Sequence, residues 1–295
     1  MKLIPITYHS KKYPESIVSS IDEIAGNLDK EYIKPVRNYS LHTEYSHMPR
    51  KLDNALINRY PHLKDCHKDY VPELWKDEEW AKDFAKFIIE LIGNQKAPKI
   101  IEIHPPFDDY CPTFNDFFTR YQIFENAILE KYPDVNIFIE NRCGTFYKGG
   151  KFLLSKTKSI VSFLEELQKR KMRLKLVLDY PQVFSAELIK MDNIKLEKII
   201  DFNRKIKTYR ENIGGFHLWG KKKSKLGRWT PHTGDLNTFF SNNEEMKKEF
   251  IKSIIDTFDD DTIRYFVPEV NSSEDDLQSI VSDLINYGIE FLDEI

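Results

Sequence analysis

Short apolar runs recur along the chain, and most of them close on a residue able to carry charge. Residues 135–140 read VNIFIE, a β-branched and aromatic run that stops on Glu140 and continues Asn141-Arg142-Cys143-Gly144. Residues 100–106 (IIEIHPP) reach His104, 174–182 (LKLVLDYPQ) reach Asp179, and 213–220 (IGGFHLWG) reach His217. Residues 263–270 (IRYFVPEV) reach Glu269, and 38–45 (NYSLHTEY) reach His42. Unbroken apolar runs of this length fit strands buried on both faces. A buried strand that ends on a carboxylate or imidazole must give that group a partner or a task at the rim of the sheet.

Between these runs the spacing turns helical. Residues 77–92 place Trp80, Phe84, Phe87, Ile88 and Leu91 on one face, and helices are also predicted over 115–130, 156–170, 192–209 and 243–258. Ser272-Ser273-Glu274-Asp275 starts a last helix running to Leu292. Near the N-terminus, residues 2–7 read as a strand. Pro14-Glu15-Ser16 then opens a helix carrying Ile17, Ile21, Ile24 and Leu28. An irregular insertion occupies about 46–75 and contains Cys66 together with His47, His62 and His67, and these three histidines read as solvated loop residues.

Strands alternating with helices imply parallel pairing and right-handed crossovers. The fold class expected is α/β, a (β/α)8 TIM barrel, because barrel sites gather residues from many C-terminal strand ends. An open doubly wound sheet would gather only two or three. Seven strands are legible, and the eighth is sought in 30–36 or within the insertion. With 295 residues and 41% hydrophobic content, one domain spanning 1–295 can bury a large core.

His42, His104, Glu140, Asp179, His217 and Glu269 are all metal-ligand types, and clustered carboxylates that repel one another need a cation. Taken singly, such a residue is more often a hydrogen-bonded turn residue; six in series favour metal. The one dense basic run, Lys221, Lys222, Lys223, Lys225 and Arg228, is interleaved with Trp219 and Trp229. It is either a solvated loop or a phosphate-binding element on which a base or sugar stacks. Tyr45 either lines the same pocket or packs. Cys143 reads as a packing residue rather than a nucleophile.

Composition narrows the rest. A formal charge of −3 gives no global basic signal, so nucleic-acid binding would rest on that local patch. Three cysteines, Cys66, Cys111 and Cys143, without CxxC spacing argue against a disulfide framework or thiolate zinc. There is no GxGxxG or P-loop to suggest a nucleotide cofactor. No signal-peptide core and no run near 18 apolar residues are present, so a soluble cytoplasmic chain without a membrane partner is expected.

Glu140 in IEN, Asp179 in LDYPQ, His217 in FHLWG and Glu269 in PEV resemble the four metal ligands of the xylose-isomerase-like barrel superfamily. That superfamily includes sugar isomerases, epimerases and the endonuclease IV class (AP endonuclease family 2). LHTEY, IEIHPP and HLWGKKKSKLGRWTPHTGD resemble the nuclease branch, and the likeness runs from about Asn38 to the C-terminus. Two departures stand out. Gln182 occupies the place of a ligand His, and Thr230 the place of a ligand Asp, leaving only His232 of three ligands for a third zinc.

The resemblance therefore implies one or two divalent ions. One would be held by Glu140, Asp179, His217 and Glu269; a second by His42 and His104, with Glu140 bridging. Zinc or manganese suits this donor set best, magnesium less well. The implied activity is a metal-dependent phosphodiesterase or endonuclease, in which metal-activated hydroxide attacks a phosphate ester. Its substrate would bear phosphate, DNA included. Tyr45, Gln182, Lys221, Lys223, Arg228, Trp229 and His232 would contact it. The alternatives are a sugar or sugar-phosphate isomerase or epimerase using Glu140 and Glu269 as acid and base, and a barrel that has lost its chemistry.

Overall fold

Eight parallel strands pair side by side and close on themselves. They are β1 (Lys2–Thr7), β2 (Ile21–Gly26), β3 (Tyr39–Thr43), β4 (Ile100–Ile103), β5 (Asn136–Glu140), β6 (Lys175–Asp179), β7 (Ile213–Leu218) and β8 (Ile263–Pro268). They run in chain order round the barrel, and β8 returns to pair with β1 through Lys2 to Pro5 against Ile263 to Phe266. The computed structural model describes every residue except His47, Cys66, Thr145, Lys148, Gly149, Glu294 and Ile295, and omits the side chains of residues 65, 67, 68, 146 and 147. The expectations for His47, Cys66 and the His67 side chain therefore lie outside the described residues.

The strand missing from the sequence reading is β2, in residues expected to form a helix. No helix forms over 14–28, and neither 30–36 nor the insertion supplies a barrel strand. Asp22 to Gly26 pair instead with Tyr39 to Thr43. Ile21 enters the barrel interior with Ile6, Ile100, Phe138, Val177 and Val267, while Ile24 packs with the outer shell. Isoleucines three residues apart thus face opposite sides of a strand, although the same spacing fits one helix face. The preceding loop is tied back by the Ser19 hydroxyl, which donates to the Pro5 carbonyl at 3.0 Å.

From β3 onward, helices fill the crossovers. They are α1 (Glu78–Ile92), α2 (Phe114–Lys131), α3 (Thr157–Gln168), α4 (Tyr180–Ala186), α5 (Glu197–Ile206), α6 (Glu244–Thr257) and α7 (Glu274–Asn286). On α1, Trp80, Phe84, Phe87, Ile88 and Leu91 are all buried, and Asp77 caps the helix by accepting from the Trp80 amide. Ser273 does the same for α7. This last helix stops at Asn286 rather than running to Leu292. Gly288 turns the chain at φ +89°, in the left-handed region, and Glu290–Phe291 then pairs with Lys2 and Leu3.

The insertion is more ordered than expected, holding two short helices (Asn54–Arg59 and Pro61–Asp65) and a small antiparallel pair (His67–Lys68 with Val71–Pro72). It ends on Trp75, fully buried against Trp80, Phe84, Phe117, Tyr121 and Phe124. The Trp75 indole N–H donates to the His104 carbonyl at 2.7 Å, which anchors the end of β4. No helix among the described residues is long and apolar enough to cross a membrane.

Candidate metal centre

The six residues expected as ligands converge at the C-terminal mouth of the barrel. His42 lies on β3, Glu140 and Asp179 end β5 and β6, and His217 lies one residue before the end of β7. His104 and Glu269 stand just past β4 and β8. Ligand atoms of Glu140, Asp179, His217 and Glu269 lie within 4.8 Å of one another, as do those of His42, Glu102, His104 and Glu140. Glu140 belongs to both groups.

Two carboxylates were missed in the sequence. Glu102 lies in the second group, and Glu23 forms a further cluster with His42 and Glu269. Strand alternation in the closed barrel places both on its inner face. Ile100 faces the barrel interior, so Glu102 and then His104 follow it inward, and Glu23 follows Ile21 in the same way.

The electrostatics of the cluster suit a cation. His104 Nδ1 lies 3.0 Å from the Glu44 carbonyl, which can only accept, so Nδ1 carries the proton. Burial, helped by the charges of His42 and Arg142, lowers His104 to about 4, so the ring is neutral. Its Nε2 therefore presents a lone pair to Glu140 Oε2, 2.9 Å away. Burial opposes the Glu140 charge, yet Arg142 first and His217 after it hold this carboxyl well below its usual range. Two acceptors facing each other in a buried site could hold a metal ion, and an imidazole pinned by a backbone carbonyl is the usual posture of a ligand.

The same conclusion holds at the neighbouring ligands. Both ring nitrogens of His217 are buried without a hydrogen-bond partner, as are His42 Nδ1 and Glu102 Oε1. His217 lies 3.2 Å from Glu269 and 3.5 Å from Glu102. Burial alone would lower His217, but these carboxylates raise it well above the ordinary range. His42 is likewise raised against burial, by Glu23 first, to about 10. Burial, with Glu140 and Glu269 adding to it, pushes Asp179 up, whereas His217 brings Glu269 down to about 2 against the effect of burial. A divalent ion would satisfy the orphaned nitrogens and the crowded carboxylates together, so the donor set fits one.

Surrounding residues fix the ligands. Asn141 locks the ends of β5 and β6 together: its Oδ1 accepts from the Asp179 amide at 3.0 Å, and its Nδ2 donates to the Asp179 carbonyl at 3.1 Å. The Trp219 indole donates to Asp179 Oδ2 at 2.8 Å. Gln182 donates its side-chain amide to both Glu140 and Asp179. Arg142, also missed, donates to Glu140 Oε2 at 3.1 Å. Tyr45 stands edge-on to His42 and His104, with Arg50 and Arg142 over its ring. His232, at φ +54°, stacks on Trp219 and is tied through Nδ1 to the Glu269 carbonyl.

The basic run is a hairpin rather than an open loop, Lys221–Lys223 pairing with Trp229–Pro231. Its root is tight: a Cβ on Gly220 would lie 2.3 Å from the Gly234 backbone, which only glycine permits. The lysines separate in role. Lys221 turns inward over Trp219 and donates to the Ser185 hydroxyl at 2.7 Å. Burial lowers its ammonium pKa. Lys222 is paired with Asp276 and Lys223 with Asp192, the latter also lying over Trp229. Arg228 is exposed. Neither Cys111, which is buried, nor Cys143 forms a disulfide.

No protein-family profile matches the chain, and no curated protein matches it. Among solved structures, one described as "The crystal structure of AsfvAP:AG" is 11% identical over 84% of each chain, with a TM-score of 0.46. A psychrophilic glycoside hydrolase family 10 endo-beta-1,4-xylanase is 10% identical over 78% of each chain, with a TM-score of 0.38. The barrel assignment rests on the strand pairing of this chain itself.

Proposed function

We propose that this chain is a divalent-metal-dependent hydrolase of phosphate esters, related in its site to the endonuclease IV class of the xylose-isomerase-like superfamily. The observation that carries this reading is the pair of ligand groups sharing Glu140. Glu140, Asp179, His217 and Glu269 would hold one ion. His42, Glu102 and His104 would hold a second with Glu140, which is one carboxylate more than the sequence reading assigned. Zinc or manganese suits these donors. Such ions supply Lewis acidity toward a phosphoryl oxygen and acidify a water at neutral pH. Trp219, Asn141 and Gln182 keep the carboxylates in place, while Tyr45, Lys221 and His232 form the surrounding wall. Abasic-site DNA is the first substrate class to test.

A metal-dependent sugar isomerase is the second reading. It is favoured by Gln182, which donates across Glu140 and Asp179 where the nuclease branch carries another ligand. Elemental mass spectrometry on the purified protein and a His42→Ala/His104→Ala variant separates the two. About two ions per chain, falling to one in the variant, supports the bridged pair, and turnover of phosphodiester substrates should accompany it. One ion, unchanged in the variant, selects the isomerase.

A further inference from the structure

Arg142 has no counterpart in the ligand argument, yet it sits inside the site. It is 9% exposed, two residues beyond the shared carboxylate, with Nη1 donating to Glu140 Oε2. Its guanidinium lies over the rings of Tyr45 and Phe152, at 5.5 and 5.7 Å. Its Nε is buried and has no hydrogen-bond partner. A buried donor left unmade is costly. The two aromatic faces keep the guanidinium from turning away to find one.

Neutralising Glu140 does not explain this arrangement. A guanidinium held against a metal-binding carboxylate competes with the cation for the same charge, so it works against metal affinity. Its placement makes sense if a further anion arrives beside the metals. Arginine offers a planar fork of donors that matches a phosphate, and the unused Nε lies on that fork. The nearby Lys221 adds a second cation on the Asp179 side, held by Ser185 and Trp219.

We propose that Arg142 is the anion-binding residue of the site, holding a phosphate oxygen of the substrate through Nε and an adjacent Nη. The inference rests on the phosphate-ester reading above and makes that reading specific, since a neutral sugar gives this fork nothing to hold.

The test is inorganic phosphate binding to zinc-loaded protein by isothermal titration calorimetry, with metal content measured on the same samples. Wild type should bind phosphate, and Arg142→Gln should bind it about 10- to 100-fold more weakly while keeping its metal. Arg142→Lys, which keeps the charge but loses the fork, should fall between and serves if the glutamine variant does not fold. Phosphate binding unchanged in both variants would overturn the proposal. So would loss of metal in Arg142→Gln, which makes Arg142 a positioning residue for Glu140. Wild type that holds no metal, yet loses phosphate binding with Arg142, would retain the anion site and sink the hydrolase reading instead.

Discussion

Gln182 and Asp179 are joined twice. The Gln182 backbone amide donates to Asp179 Oδ1 at 2.8 Å and its side-chain amide to Oδ2 at 2.9 Å, and that same side-chain nitrogen reaches Glu140. The residue at the ligand-like position is thus a donor to two ligands and opens α4 as it does so. Outer donors of this kind orient metal-binding carboxylates, and their loss typically costs 10- to 100-fold in metal affinity, on the order of 2 kcal/mol. Gln182→Leu should weaken zinc binding by about that factor in a competition titration against a chromophoric chelator. Undiminished affinity would mean that Trp219 and Asn141 suffice to hold the carboxylates.

Removing metal should also cost stability. Without a cation, five buried or half-buried carboxylates (Glu23, Glu102, Glu140, Asp179 and Glu269) crowd one mouth with two unsatisfied histidines. An ion present at about 1,000 times its dissociation constant contributes about 4 kcal/mol to folding. For a chain of this size that is a rise in Tm of about 6 °C. Scanning calorimetry with and without EDTA should show a drop of that order, reversed by adding back zinc or manganese. Equal melting curves would count against a resident metal.

The strand ends were legible because a buried run closing on His, Asp or Glu is unusual, and all six such residues arrive at one mouth. Glu23 and Glu102 were not read because they sit inside their runs. Recognising them requires knowing which of two strand faces is interior, a choice that barrel closure makes and local sequence does not. The β2 strand was hidden for a related reason. Ile17, Ile21, Ile24 and Leu28 satisfy a helical period, and only pairing with β3 on one side and β1 on the other overrides it. The basic run divides in a way its sequence does not show. Its density suggested one shared role, whereas Asp276 and Asp192, distant in sequence, engage Lys222 and Lys223 and leave Lys221 facing inward.

That division yields a contrast between neighbouring lysines. Lys221→Ala removes a partly buried ammonium beside Trp219, so it should weaken phosphate inhibition of any phosphodiester turnover by about 5- to 20-fold and flatten its salt dependence. Lys223→Ala breaks a surface ion pair worth at most about 1 kcal/mol and should leave phosphate inhibition unchanged. The measurement is a phosphate inhibition constant at two ionic strengths. Equal effects from the two substitutions would return the hairpin to a diffuse charge patch.

At the opposite end of the barrel, Arg264 is fully buried at the start of β8 and its fork is closed by Asp260, at 2.7 and 2.8 Å. Nε and Nη2 also donate to the carbonyls of Ile213 and Arg210, so this one side chain ties β8 to β7 and the turn before it. The hydrogen bonds from Arg264 hold the Asp260 carboxyl below its ordinary range, and burial only partly offsets this. A pKa lower in the folded state than the unfolded value of about 3.9 means the pair stabilises the fold fully above that value. The contribution is lost as pH falls through the folded pKa. Asp260→Asn should therefore destabilise the protein by about 3 kcal/mol at pH 7, because the buried guanidinium loses its counter-charge. The gap between wild type and variant should narrow steadily from about pH 4 downward in urea titrations, since protonated Asp260 resembles the asparagine. A gap that stays constant down to pH 2 would show that Arg264 is held by the carbonyls alone.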